Sequence, residues 1–324
     1  MKIATIDLGK EPLLLAPMED VTDASFRFIC KEYGADMMYT EFVSADGLIR
    51  DAYKSRDKLL ISDSERPIGI QIYGHIPEVL LQAARIAEEV APDVIDINFG
   101  CPKHKIARRG AGCGWLRDPR GMVEITRRLV QSVHVPVTVK TRLGWDNDSV
   151  IIGDLAEALQ DAGIAALTIH GRTGIQMYKG VADWAPIAAV KANPRINIPI
   201  IGNGDICTPQ QAREAFDRYG VDGIMIGRAS FGHPWLFREI RHYLQTGELL
   251  PPMGVAERVD LAKRHLARSL EVKGERVGVL ELRRHLNSYF KGLPDFKPVR
   301  LQLVTENDPQ VLYGILDTIA EKWG

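Results

Sequence analysis

The chain predicts a (β/α)₈ barrel followed by a small all-helical domain, and three observations carry that reading. Eight short apolar runs each end in a polar or glycine-rich cluster. Amphipathic helical patterns fill most of the intervals between them. The 324 residues exceed the roughly 250 that such a barrel needs and leave about 80 for a second unit.

The runs can be taken in order. Leu13–Leu15 leads into Ala16-Pro17-Met18-Glu19, Met37–Tyr39 into Thr40-Glu41, and Ile68–Ile70 into Gln71. Ile95-Asp96-Ile97 ends in Asn98, Pro136–Val139 leads into Lys140-Thr141-Arg142, and Ala166–Ile169 into His170-Gly171-Arg172. Ile198–Ile201 precedes Gly202-Asn203-Gly204-Asp205, and Ile224–Ile226 precedes Gly227-Arg228. Short runs without a polar face read as parallel strands buried on both sides. Between them, Leu80, Ala84 and Ala87, then Ile152, Leu155 and Leu159, recur at helical spacing. Thr208-Pro209-Gln210-Gln211 has the capping-box pattern with proline at the first helical position, and Gly220 sits where such a helix should stop. A doubly wound open sheet would carry its glycine fingerprint after the first strand; Pro17-Met18-Glu19 has none.

After the eighth run, His233–Arg238 begins a short helix and Gly247–Pro252 reads as a linker. Val255, Val259, Ala262, Leu266 and Leu270 then mark a helix face, continued by Leu282, Leu286 and Phe290 and by Val311, Ile315 and Ile319. The expected division is a catalytic barrel over residues 1–245 and a helical unit over 246–324.

Composition fits a globular enzyme, with 45% hydrophobic residues. The polar N-terminus does not resemble a signal peptide and no long apolar span occurs, so the expectation is a cytoplasmic protein with no membrane segment. Cys30, Cys101, Cys113 and Cys207 lack paired metal-ligand spacing, and no metal site is expected. The net charge of −1 argues against wholesale attraction to nucleic acid, but local segments differ. Lys103 to Arg109 contains no acid, and Arg258 to Arg300 holds eleven Lys/Arg against five Asp/Glu. A basic loop near the strand ends together with a basic tail is what tracking a polynucleotide backbone requires. No stable protein partner is implied.

At the strand ends, Cys101 sits between the turn residues Gly100 and Pro102, just past a buried strand. Cysteine is ordinarily a core residue, so this placement reads as presentation. The glycine-rich turns after the seventh and eighth runs stand where barrels commonly bind phosphate on backbone N–H groups, and Arg228 adds charge there. Lys140 ends an otherwise apolar strand and needs an anionic or electron-rich partner. Gln71 can donate and accept at once, which suits the edge of a pyrimidine-like ring. A lone His at a strand end, such as His170, is more often a structural residue than a ligand contact.

Ala16-Pro17-Met18, Gln71, Asn98-Phe99-Gly100-Cys101-Pro102, Lys140-Thr141-Arg142, His170-Gly171-Arg172-Thr173, Asn203-Gly204-Asp205-Ile206 and Ile226-Gly227-Arg228 together resemble the flavin-dependent tRNA-dihydrouridine synthases. His285–Gly292 resembles that family's helical-domain signature, and Pro234–Ile240 with Thr246–Leu249 is most similar to the bacterial B type. The pattern departs at Cys113 and Trp115, where a small and an aliphatic residue would be usual.

The resemblance implies FMN in the barrel mouth. Pro17, Met18 and Glu19 would line its ring, Gln71 and Lys140 its polar edge, and His170 its ribityl chain. Asn203, Gly204, Asp205, Gly227 and Arg228 would surround its phosphate. It also implies reduction of the uracil 5,6 double bond in tRNA, at a D-loop position, with a hydride delivered to C6 and Cys101 protonating C5 as general acid. Asn98 would hold the uracil edge, with Lys103, Arg142, Arg172, Arg283 and Arg284 as further substrate contacts, and NADPH would re-reduce the flavin. No G-x-G-x-x-G follows any strand, so no dedicated Rossmann site is expected for NADPH.

Two rivals are weaker. A dihydroorotate-dehydrogenase-type flavoenzyme would carry Asn after the Cys-Pro pair, where this chain has Lys103, and would leave the basic tail unexplained. A non-catalytic flavin-containing RNA-binding protein would have lost the acid or a phosphate loop, and neither is lost.

Overall fold

The computed structural model describes residues 1–324. Eight parallel strands form the barrel: β1 (Leu13–Leu15), β2 (Met38–Tyr39), β3 (Ile68–Tyr73), β4 (Val94–Asn98), β5 (Val137–Arg142), β6 (Ala166–His170), β7 (Ile200–Asn203) and β8 (Gly223–Ile226). Each pairs with its neighbour in sequence order and β8 returns to β1. The β1–β2 seam closes through Leu15 N–H to Met37 O at 3.0 Å and Asp36 N–H to Leu13 O at 2.8 Å. Helices over Ala24–Glu32, Pro77–Glu88, Pro119–Ser132, Ile152–Asp161, Ala185–Ala192 and Pro209–Tyr219 surround it. The capping box at Thr208 and the left-handed Gly220 bracket the last of these.

Two apolar cores follow from strand alternation. Outward residues such as Ile70, Ile95, Val139, Leu167 and Ile224 pack against the helices. Inside lies a smaller cluster of Leu14, Ala16, Met37, Tyr39, Val94, Ala166, Ile201 and Met225, sealed below by Ile3 and Leu8 near the N-terminal hairpin. The strands run further than their apolar stretches, so the polar residues expected in turns are strand residues instead. Pairing continues through Asn98 with Lys140, Arg142 with His170, and Asn203 with His170. Residues two apart share a face. The inner column of β4 therefore reads Val94, Asp96, Asn98 from floor to mouth, and that of β5 reads Thr138, Lys140, Arg142.

Beyond the barrel, a helix spans Leu236–Thr246 and ends at left-handed Gly247. Val255–Tyr289 is one long helix interrupted at Gly274, followed by helices Lys297–Thr305 and Pro309–Trp323. Its seam with helix Ala24–Glu32 is polar. Asp23 caps that barrel helix at Phe26 N–H (2.8 Å), accepts from Ser25 Oγ (2.7 Å) and pairs with Lys273. Ser25 Oγ lies 3.2 Å from His265 Nε2, and His265 Nδ1 lies 2.7 Å from the Tyr289 hydroxyl.

The last helix corrects one reading. Val311 is 46% exposed, and the buried stripe is Leu312, Leu316 and Ile319. Steps of four and three follow the helical repeat of 3.6 more closely than the even steps of four through Val311, Ile315 and Ile319. Leu316→Ala should therefore lower the unfolding free energy by about 2–5 kcal/mol, while Val311→Ala should stay within about 0.5 kcal/mol. Urea unfolding followed by circular dichroism checks this, and equal losses would restore the original face.

Candidate active site at the mouth of the barrel

A cavity of about 430 Å³ opens at the C-terminal ends of the strands. Pro17, Met18, Gln71, Asn98, Cys101, Lys140, Arg142, His170, Asn203, Gly204, Asp205, Gly227 and Arg228 all line it. These residues come from all the strand ends but β2, and the barrel alone brings them together.

Cys101 is held by the turn that follows β4. Asn98 Oδ1 accepts from Gly100 N–H at 3.0 Å and Cys101 N–H at 2.8 Å, an Asx turn that folds the chain back sharply. Asn98 Nδ2 donates to Gln71 Oε1 at 2.7 Å, and Gln71 Nε2 donates to Asp96 Oδ2 at 2.6 Å. Thr138 Oγ1 donates to the other oxygen of Asp96 at 2.6 Å. Burial pushes Asp96 up to about 6, against the opposing pull of Thr138, Gln71 and Lys140, so it is mostly ionised at neutral pH. Gln71 thus spends one donor and one acceptor lone pair inside the protein, keeping one N–H for the cavity.

The loop beneath Cys101 explains the unusual Cys113 and Trp115. Cys113 N–H donates to Cys101 O at 3.1 Å, and a Cβ on Gly112 (φ +55°) would stand 2.7 Å from that oxygen. Trp115 Nε1 donates to Gly74 O at 2.8 Å, and its ring meets Phe99 edge-on at 5.9 Å. Both side chains are buried and supported. Burial pushes the Cys101 thiol up, with Lys103 and Arg142 opposing, which keeps it protonated at neutral pH.

The Lys140 side-chain amine makes no hydrogen bond within the protein. Burial and the neighbouring Arg142 push it down to about 8, with Asp96 and Cys101 opposing. Arg142 is 2% exposed and donates to Gly100 O (2.7 Å), Thr173 O (2.9 Å) and Met177 O (2.8 Å), tying the Cys101 turn to the β6 loop. Burial holds His170 well below its ordinary value, and Arg142, Lys140, Arg172 and Arg228 add to the effect. It is a neutral imidazole in a cationic surround.

At the far side, Asn203 Nδ2 donates to Met225 O at 2.7 Å. Gly204 has φ +134°, and a Cβ there would lie 2.7 Å from Ala182 Cβ and 3.2 Å from the His170 ring. Only glycine suits that backbone. Asp205 is bracketed by Arg172 (2.9 and 2.7 Å) and Arg228 (3.1 Å), and Ala182 N–H donates to it at 2.8 Å. Burial alone would raise its pKa, but the Arg172 hydrogen bonds outweigh that and hold it below the usual carboxylate value.

Several expected site residues lie elsewhere. Arg172 is outside the cavity, with all five N–H donors engaged by Asp205, His170, Lys179 O and Gly180 O. It is left no donor for a substrate, and its part is to hold Asp205. Glu19 pairs with Lys58 at 2.7 Å and faces a neighbouring cavity of about 640 Å³, as does Lys103. The two cavities share Phe42. Arg283 caps the helix Lys297–Thr305 through Thr305 O, Glu306 O and Asn307 Oδ1, at 2.8–3.0 Å. Arg284 is bonded to Asp20 O.

The sequence reading missed Asp96, Thr138, Phe42 and Tyr178. The alternation Ile95-Asp96-Ile97-Asn98 was the available signal for Asp96, because a parallel strand buried on both faces should lack it. Tyr178 reaches the cavity from an exposed loop, stacked under Arg228 at 4.8 Å, and nothing in its local sequence marks it.

A family model described as "Dihydrouridine synthase (Dus)" matches residues 14–321. A Pseudomonas aeruginosa protein named tRNA-dihydrouridine synthase B is 41% identical over 290 residues, covering 90% of this chain and 87% of its own. A Rickettsia conorii protein named probable tRNA-dihydrouridine synthase is 37% identical over 322 residues, covering 99% and 96%. Among solved structures, histamine dehydrogenase from Rhizobium sp. 4-9 superposes with a TM-score of 0.53 at 12% identity, over 81% of this chain and 50% of that one. That last likeness concerns the fold alone.

Proposed function

The chain belongs to the dihydrouridine synthase family, and from that premise we propose how its barrel mouth works. It is a flavin-dependent oxidoreductase, of the bacterial B type, that reduces uridine in tRNA. The observation that carries the mechanism is Cys101, held protonated on a rigid turn at the edge of a cationic cavity.

The cavity fits FMN. Its volume lies within the roughly 300–1,000 Å³ of small-molecule sites. Lys140, half-buried and without an acceptor in the protein, suits the electron-rich edge of a flavin ring, with Gln71 beside it and Pro17 and Met18 along the ring. Asn203, Gly204 and Gly227 form the phosphate cradle with Arg228, where barrels commonly bind phosphate. Asp205 serves by holding Arg228 in place, and His170, which lines the same cavity, would stand beside the ribityl chain.

When bound there in its reduced form, the flavin would supply a hydride for C6 of the uracil ring. Cys101 Sγ gives its proton to C5, and the thiolate, with Arg142 and Lys103 nearby, regains a proton from solvent. Asn98 offers its remaining N–H to the uracil edge. NADPH is the reductant and the cytoplasm the compartment. Residues 1–245 carry the chemistry and 246–324 orient tRNA, with reduction in the D-loop.

Three expectations test this. Arg228→Glu sets a second carboxylate beside Asp205, and like charges in the cradle should expel the cofactor. The visible absorbance of the purified protein should fall from about one flavin per chain; full retention would place the phosphate elsewhere.

For RNA binding, Arg283 and the exposed Arg284 each have one guanidinium nitrogen bonded within the protein, while Arg276, Lys291, Lys297 and Arg300 are exposed and have no ion-pair partner. Changing Lys291, Lys297 and Arg300 to Gln should weaken tRNA binding and reduce its salt slope by about one per lost phosphate contact. Flavin reduction should be untouched. An unchanged titration would move the RNA surface off this tail.

Cys101→Ser keeps the size but replaces the thiol with a far weaker acid. Flavin reduction by NADPH should proceed at a near-normal rate, because it needs no acid at C5. Reduction of tRNA uridine should fall by about 10² or more, the usual worth of a positioned acid. Stopped-flow absorbance resolves the two half-reactions, and wild-type dihydrouridine formation would remove Cys101 from the chemistry.

A further inference from the structure

We propose that Asp96 is a positioning residue for Cys101, setting the polarity of a relay through Gln71 and Asn98 to the backbone of the Gly100–Cys101 turn. This rests on reading Cys101 as the proton donor. Asp96 is 1% exposed and lines neither cavity, so direct contact with substrate or flavin is not its role.

An ionised carboxylate can only accept hydrogen bonds. Thr138 and Gln71 both donate to Asp96, so Gln71 must turn its NH₂ down and its Oε1 toward Asn98. That oxygen accepts from Asn98 Nδ2, which leaves Asn98 Oδ1 facing the amides of Gly100 and Cys101. Asn98 is turned by the two turn amides, which can only donate, and Gln71 by the carboxylate, which can only accept, so Asp96 locks the series from its far end. The inverted series would set the Asn98 NH₂ against two N–H donors and release the turn. Lys140 also faces Asp96, and its charge favours the ionised form.

Asp96→Asn preserves shape but presents a donor as readily as an acceptor. Because Asp96→Asn also unpins Gln71 and removes a charge facing Lys140, the variant is loaded with excess FMN and uridine reduction is read from the reduced enzyme, apart from the NADPH half-reaction. Uridine reduction at saturating tRNA should slow by about tenfold or more, with KM for tRNA unchanged. Amide hydrogen exchange at Gly100 and Cys101 should accelerate by a similar factor. Gln71→Met cuts the same relay one link further on and should open the same amides, which covers the case in which Asp96→Asn does not fold. Unchanged exchange in the folded variants would overturn the proposal, as would wild-type uridine reduction in Asp96→Asn. Exchange reports the relay by itself, whereas Cys101→Ser tests the donor assignment, so the two readings can fail separately.

Discussion

The mouth of this protein depends on in-register pairing of parallel strands around a closed ring. Asn98 stands beside Lys140, Arg142 beside His170, and His170 beside Asn203 because the ladders continue past the apolar stretches. Strand alternation then points these side chains inward. The barrel interior grades from apolar at the floor, through hydroxyl and carboxylate groups, to cations at the rim. Asp96, Gln71 and Thr138 below the rim find partners on neighbouring strands, which makes burying them tolerable.

Charge at the rim is unbalanced by design of the ring. Lys140, Arg142 and Arg228 line the cavity, and Asp205 is the carboxylate among its lining residues. Burial pushes Lys140 and His170 down, and the neighbouring cations add to the effect. Such a cavity favours an anionic, electron-rich occupant. Cys101 lies at its edge, where burial keeps the thiol protonated while nearby cations limit the cost of losing its proton.

The helical tail is tied to the same mouth. Arg284 reaches the Asp20 carbonyl in the turn after β1, and Lys273 reaches Asp23 three residues on. His265, His285 and Tyr289 fill the seam behind that pair, and burial pushes His285 down to about 4. A seam of paired charge and directional hydrogen bonds fixes orientation more strictly than an apolar one. The tail is therefore tied to the barrel beside its mouth.

The sequence by itself determined the barrel, its eight strands, the capped helix at Thr208, the helical tail and most of the residues that ring the mouth. These follow from local periodicity, from turn chemistry, and from motifs whose residues resemble a known family. What only the tertiary structure decided is which donors are free. Arg172 looks like a substrate cation in the sequence, yet all its donors are spent on acceptors brought near by folding, whereas Arg283 and Arg284 each bond through one guanidinium nitrogen only. Asp96 looked like an interruption in an apolar strand, yet it anchors the amide series that reaches Cys101. Val311 traded places with Leu312 and Leu316 on the last helix. The reason is common to all of these: a residue's type and spacing state what it can bond to, but its partners come from distant strands and helices, and only their packing determines whether its bonding capacity is already spent.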